Sequence, residues 1–344
     1  MNSKHLLEKN FGLQSHSSSL ELLIVLFSSL FFLLAHSPIY GKSKDDLSLP
    51  SLSSLNKISI EEADHSHFIK RRKEDSRWFA PDPLNGETLK GVVLLTHGLN
   101  LRPSKMDQLA QFLRENHYIV LRLALPGHRE NIQEQQRIKD RDWINTYLEA
   151  IEVCLKLKKK FHLPLYSLNY SLGSLVHLNS ILEINKMKTS NRRNPFKKSI
   201  LLAPAAWSKW FTSWPYLLFF LPDSFGIKSF SHENYRVEET TSLAQYRALL
   251  KLQKKWNAEL GANVSYLQSE PLHIIMHPKD ELISLKKIEE FKREHQEISM
   301  KIKLLPELSP SISPSYNHLI IDKWAIGSKA WKILTEAILS ALET

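Results

Sequence analysis

Leu168-Asn169-Tyr170-Ser171-Leu172-Gly173 is the stretch on which the reading of this chain turns. A mostly apolar run over residues 163–168 leads into it, and Leu172, Leu175, Leu178 and Leu182 mark an apolar-faced segment leading out. The first has the length of a strand and the second the spacing of a helix. A serine in a tight turn between strand and helix, with small or turn-tolerant residues two places either side, is the pattern of a nucleophile elbow, usually G-x-S-x-G. The turn lifts the hydroxyl clear of the sheet. It also aims the next amide and the helix N-terminus at one point, where developing negative charge is stabilised. Gly173 keeps the second glycine, and Asn169 replaces the first. Asparagine tolerates strained backbone better than other non-glycine residues, so Asn169→Gly is expected to be tolerated with less strain. S-x-G alone is common, and its weight comes from residues far away on both sides.

On the N-terminal side, an apolar strand over 91–95 ends in Thr96-His97-Gly98-Leu99. Pro103-Ser104 opens a helix with Asp107 as the capping-box partner of Ser104, and Met106, Leu109, Ala110 and Leu113 form its apolar face. A strand over 118–125 ends in Pro126-Gly127-His128, and an amphipathic helix follows over 142–155. Beyond the serine, a strand over 199–203 ends at Pro204. Later come a helix over 242–256, a strand over 272–276 ending in His277-Pro278-Lys279-Asp280, and a helix over 285–294. The last strand covers 300–305, a Pro/Ser-rich loop carries Asn317-His318, and the final helix covers 329–342. Strands alternating with helices predict an α/β fold with a mostly parallel sheet covered on both faces. Ligands of such sheets gather at the C-terminal ends of the strands, which is where His97, His128, Ser171, Asp280 and, after a loop, His318 fall.

The alternation is interrupted over residues 207–236. Ten of the chain's 33 Phe, Tyr and Trp residues lie in these thirty positions, among them Trp207, Trp210, Phe211, Trp214, Phe219 and Phe220. This insertion, at about 207–241, reads as a cap, either an ordinary packed one or a lid facing lipid.

The 344 residues, 42% of them apolar, allow one large domain with an extension or two small ones. Residues 1–41 read as a signal peptide or membrane anchor, because the apolar run over 22–35 follows a polar leader and is short for a transmembrane helix. Export is therefore expected, to the periplasm or the extracellular space, or attachment to a membrane through residues 20–36. Residues 42–76 are a polar linker, and 77–344 the folded domain. The formal charge of +10 has no zinc-finger spacing, RNA-binding signature or long basic tail behind it, so nucleic acid is not expected. It leaves an anionic membrane surface or simple solubility. The single cysteine, Cys154, forms no internal disulfide and sits at helical spacing with Ile151 and Tyr147, as a buried thiol.

These strand-end residues resemble those of the α/β-hydrolase fold family, in particular its monoacylglycerol lipase, lysophospholipase and serine aminopeptidase-like branch. The resemblance spans residues 77–344, and the order Ser171, Asp280, His318 is the one that fold uses. It implies Ser171 as nucleophile, His318 as its base and Asp280 as the residue orienting the base, with Glu281 beside Asp280 as a neighbouring carboxylate. The backbone amides of Leu99 and Leu172 would form the oxyanion hole. His97 and His128 read as structural. Trp210, Phe211, Trp214, Phe219 and Phe220 would meet substrate. The expected function is hydrolysis of carboxylic esters, of a small-molecule or lipid kind, with no metal or organic cofactor and no obligate protein partner. Thioesters and small amides remain open, as does a non-catalytic, membrane-tethered binding protein, which the Asn169 departure allows.

Overall fold

The computed structural model describes residues 74–81, 88–186, 194–229, 231–260, 267, 271–313 and 315–343. The expected leader over 1–41 and nearly all of the linker over 42–76 lie outside the described residues.

Among the described residues, seven strands form one sheet: β1 (Arg77–Phe79), β2 (Gly91–Thr96), β3 (Tyr118–Leu123), β4 (Leu165–Tyr170), β5 (Lys198–Leu202), β8 (Leu272–Met276) and β9 (Met300–Leu304), in the order β1-β3-β2-β4-β5-β8-β9. All neighbours are parallel except β1, which runs antiparallel to β3. β6 (Gly226–Lys228) and β7 (Thr240–Ser242) form a separate hairpin in the insertion. Every residue of β2, β3, β4, β5 and β8 is buried. Burial of consecutive residues means that both faces of the sheet are covered, which is why these strands read as apolar runs rather than alternating ones. At the open edge, β9 carries Lys301 and Lys303 exposed, charges that discourage pairing with another chain.

The longer α-helices among the described residues are α1 (Asp107–Glu115), α2 (Asp140–Phe161), α3 (Leu172–Lys186), α4 (Leu243–Leu260), α5 (Leu285–Glu294) and α6 (Lys323–Glu343). α3 packs between α2 and α4 and is buried at every position from Leu172 to Leu182. Ser174, His177 and Asn179, polar residues within this buried stretch, are hydrogen-bonded inside the protein, as burial requires, and the burial of the helix holds the turn that precedes it.

Four readings of the sequence change. Arg77–Phe79, where the sequence pattern shows no strand, is an edge strand, three residues being too few to show a period. Ser104 does not cap a helix with Asp107: the segment Pro103–Met106 is a 3-10 turn. The Ser104 amide and hydroxyl instead donate to the Glu74 carboxylate at 2.8 and 2.7 Å, while Asp107 pairs with the buried Arg122. α2 is longer than the 142–155 pattern, its C-terminus closed by His162 in the left-handed region (φ 55°). α6 starts six residues early, at Lys323, and breaks at Gly327 (φ 80°), where a side chain would lie 2.4 Å from the Ser309 carbonyl.

No helix among the described residues is long and apolar enough to cross a membrane.

Candidate active site

The parallel register brings the chemistry to one edge. Thr96 at the end of β2 pairs with Asn169, Tyr170 with Leu202, and Leu202 with Ile275. The residues following these strand ends therefore meet in space although 97 and 280 are far apart in the chain.

Ser171 occupies the turn between β4 and α3 with φ 49°, a conformation that non-glycine residues seldom adopt and that strand and helix together must impose. Its amide donates to Leu202 O at 2.9 Å, and its carbonyl accepts from Ala205 N at 3.2 Å. Gly173 is required here: a Cβ would lie 2.8 Å from both the His97 and the Thr96 carbonyl oxygens. Gly98 is as crowded, its absent Cβ falling 2.8 Å from the Tyr170 ring and 3.2 Å from Ser171 Cβ. The loop carrying Leu99 thus lies directly against the serine.

His318 reaches Ser171 from the loop before α6. Its Nε2 accepts from the Ser171 hydroxyl at 2.9 Å, and its Nδ1–H donates to Asp280 Oδ2 at 2.9 Å. The carboxylate can only accept, which sets the tautomer. Asp280 is buried, and its Oδ1 accepts from the amides of Leu282 and Ile283, both at 2.8 Å. Burial pushes its pKa up, but His318 and the two amides outweigh burial and leave it below the usual carboxylate value. An ionised, fixed acceptor behind the imidazole would stabilise the charge that the ring would acquire on taking a proton from Ser171.

The Leu99 amide is oriented by a pair of histidines. His97 Nδ1–H donates to Gly98 O at 2.8 Å, and its Nε2 accepts from Leu125 N at 3.0 Å. In a trans peptide the carbonyl and the next N–H point opposite ways, so holding Gly98 O turns Leu99 N–H away from His97. His128 Nε2 accepts from Asn100 N at 3.1 Å, and its Nδ1–H donates to Pro126 O. Leu172 is the first residue of α3, where an amide has no partner within its own helix.

Both rings are fully buried, with centroids 4.6 Å apart, and each needs one nitrogen unprotonated to accept an amide. Burial pushes His128 down to about 4; burial, then His128, pushes His97 well below its ordinary value. The unfolded chain binds these protons near 6.5, so stability is full above that pH and is lost as pH falls through about 4. The His128 shift alone amounts to on the order of 3 kcal/mol. Wild type is expected to melt markedly lower at pH 4.5 than at pH 7.5, and His128→Gln to show a flatter profile. Equal pH dependence of Tm in both proteins would refute this.

Asn169 has a different place from the one its sequence position suggests. It is a regular residue of β4, paired with Thr96 and Leu201, and the strained position is Ser171. Its buried side chain ends a chain of hydrogen bonds under the elbow: Ser167 to Ser199 (2.6 Å), Ser199 to His177 Nε2 (2.8 Å), His177 Nδ1 to Tyr147 (3.0 Å) and Tyr147 to Asn169 Oδ1 (3.1 Å). The expectation that glycine is tolerated here is therefore withdrawn. Asn169→Gly removes the acceptor of a buried phenol and leaves a void, and is expected to destabilise by about 1–3 kcal/mol. A urea midpoint equal to wild type would contradict that.

The cap residues divide. Trp210 and Phe220 are 79% and 81% exposed, Phe211 41%, while Trp214 and Phe219 are half-buried. Trp210 and Phe220 thus face solvent rather than a closed channel. The cap is tied to the acid turn, where Lys209 N donates to Leu282 O and Lys209 Nζ to Asp280 O, at 2.8 and 2.6 Å. The carbonyls of Phe219 and Leu221 both accept from Arg247, each at 2.8 Å. Sequence reasoning missed Lys209 in this role, since nothing local marks a lysine as a strut. Among the described residues, no group of three or more His, Cys, Asp or Glu side chains is arranged to hold a metal.

No protein-family model matches the sequence, and no curated protein matches it. Solved structures do match in fold. A soluble variant of monoglyceride lipase from Saccharomyces cerevisiae, in complex with a substrate analogue, aligns with TM-score 0.62 and 18% identity over 78% of this chain and 90% of its own. A metagenome-derived lipolytic enzyme aligns at 0.56 and 14%, over 78% and 97%. The monoacylglycerol lipase of Paleococcus ferrophilus aligns at 0.51 and 13%, also over 78% and 97%. With this sheet order and these likenesses, the chain has the α/β-hydrolase fold.

Proposed function

We propose that the protein is a serine hydrolase of carboxylic esters, acting on lipidic acyl esters of the monoacylglycerol or lysophospholipid kind. The observation that carries this is the unbroken run Ser171–His318–Asp280 with both links at 2.9 Å. The Ser171 oxygen attacks the ester carbonyl while His318 Nε2 takes its proton. Asp280 holds the resulting imidazolium without taking the proton itself. The oxyanion is met by the amides of Leu99 and Leu172. His318 then returns the proton to the departing alcohol. Water, deprotonated by His318, releases the acid and restores Ser171. The reading of a non-catalytic binding protein loses its support, because it rested on Asn169 as a defect of the turn, and Asn169 is not in the turn.

The lipidic part of the proposal rests on the cap. Trp210, Phe211, Tyr216, Leu217 and Phe220 are all exposed there, an apolar cluster that soluble surfaces seldom leave uncovered. Aromatic side chains with one apolar and one polar end suit a membrane interface, and the net charge of +10 favours an anionic one. Each acyl methylene buried by the cap contributes about 0.8 kcal/mol, so kcat/KM is expected to rise roughly tenfold for every two methylenes until the site ends. Changing Phe219 and Phe220 together to Ala should lower the rates on long esters presented at a lipid surface and spare soluble acetate esters. A chain-length series on both proteins checks this. A flat or acetate-preferring wild-type profile would leave a small-ester, thioester or amide hydrolase. Labelling by a fluorophosphonate probe, followed by peptide mapping, tests the catalytic reading itself; no label at Ser171 would end it.

A further inference from the structure

The loop bearing His318 is long. Between the end of β9 at Leu304 and the start of α6 at Lys323 there is no helix or strand among the described residues. A base on such a segment would sample many positions unless held. What holds it is a pair of residues, each the chain neighbour of another member of the triad.

Glu281 follows Asp280. Its Oε2 accepts from the His318 amide at 2.9 Å. Its Oε1 accepts from the Asn317 amide at 2.9 Å and from Asn317 Nδ2 at 3.0 Å. Tyr170 precedes Ser171, and its hydroxyl donates to the His318 carbonyl at 3.1 Å. The ring centroids of Tyr170 and His318 lie 5.3 Å apart. The backbone of the base is thus gripped at its N–H from the acid turn and at its C=O from the nucleophile elbow, while its ring bridges the same two elements.

Resting on the catalytic reading above, we propose that Glu281 and Tyr170 are positioning residues. They register the main chain of His318 against the acid turn and the elbow, so that the ring stays within hydrogen-bond distance of Asp280 and Ser171 together. The Glu281 carboxylate is suited to this, since both oxygens accept and all three groups facing it donate. A glutamine would turn an N–H towards one of those donors and force the loop away. Tyr170 is buried, and burial, with Asp280 and Glu281 beside it, keeps its hydroxyl protonated as a donor.

The test compares wild type, Glu281→Gln and Tyr170→Phe by active-site titration with a fluorophosphonate and by steady-state ester hydrolysis. An ångström-scale displacement of a catalytic group is worth up to about a hundredfold in rate. Each variant is therefore expected to lose roughly tenfold to a hundredfold in kcat per titrated site, with KM changed less than about twofold. A merely structural role would reduce the number of titrated sites and leave the rate per site alone. Because only folded sites titrate, partial misfolding of the Glu281 variant does not obscure the result, and Tyr170→Phe removes a single hydroxyl. If wild type labels at Ser171 and both variants turn over at the wild-type rate per site, this inference alone is overturned. If wild type does not label at Ser171, the catalytic reading falls and this inference with it.

Discussion

Ser171→Ala is expected to lower kcat for ester hydrolysis by at least about a thousandfold while leaving Tm within a few degrees of wild type. In the proposed mechanism the hydroxyl is the group that bonds to substrate carbon, and its loss removes no buried packing beyond one oxygen. His318→Ala should fall to a similar level, and the double variant no lower. In the proposed mechanism nucleophile and base act as one unit, linked at 2.9 Å, so their losses should not add. Residual activity would reflect the amides of Leu99 and Leu172 and substrate binding. Steady-state kinetics on an ester of the preferred chain length, with fluorophosphonate labelling in parallel, provides the check. Wild-type-like hydrolysis by clean, folded Ser171→Ala would show that the chemistry lies elsewhere.

Gly173→Ala is the second change expected to have a large effect, although it touches no reacting atom. The new methyl would stand 2.8 Å from two backbone carbonyls, those of Thr96 and His97, closer than real Cβ contacts come. Neither oxygen belongs to a flexible side chain that could swing aside. The Gly173 amide also donates to His97 O at 3.1 Å, so relief by separation breaks that bond and moves the His97–Leu99 loop away from α3. The two expected oxyanion donors, Leu99 and Leu172, sit on either side of that separation. Loss of one such donor lowers kcat about 10²–10³-fold, and crowding in a packed site costs about 1–3 kcal/mol of stability. The variant should fold, melt lower and turn over slowly with a little-changed KM. Full activity in folded Gly173→Ala would mean that the loop can yield without disturbing the donors.

The fold was legible because its signals are local. Apolar runs such as 91–95 and 118–125 announce buried strands, and the spacing of Leu172, Leu175, Leu178 and Leu182 announces a helix. A strand followed by a turn residue marks the sheet edge where ligands collect, and that picks out His97, Ser171 and Asp280 without any knowledge of contacts. His318 is different. It lies on a loop of no periodicity, among 15 histidines, and chain order alone singled it out. Its hydrogen bonds to Ser171 and Asp280 rest on positions 147 and 38 residues away. Asn169 is illegible for a related reason. Its place in the motif suggests strain, whereas the strain is at Ser171, and the role of Asn169 comes from Tyr147 on α2.

By itself, the sequence determined that the chain alternates strand and helix, that a serine closes one strand, and that an aromatic insertion interrupts the alternation. These follow from side-chain period and turn chemistry, which act over a few residues. Only the tertiary structure decided what the carboxylate beside Asp280 does. Asp280 and Glu281 are adjacent and chemically alike, but the turn after β8 points one at the ring of His318 and the other at its backbone. The tertiary structure also decided that the cap leaves Trp210 and Phe220 in solvent and that two buried histidines orient the loop of Leu99. Each of these depends on the direction of a side chain across a gap between distant segments, and direction is set by packing, which no local pattern encodes.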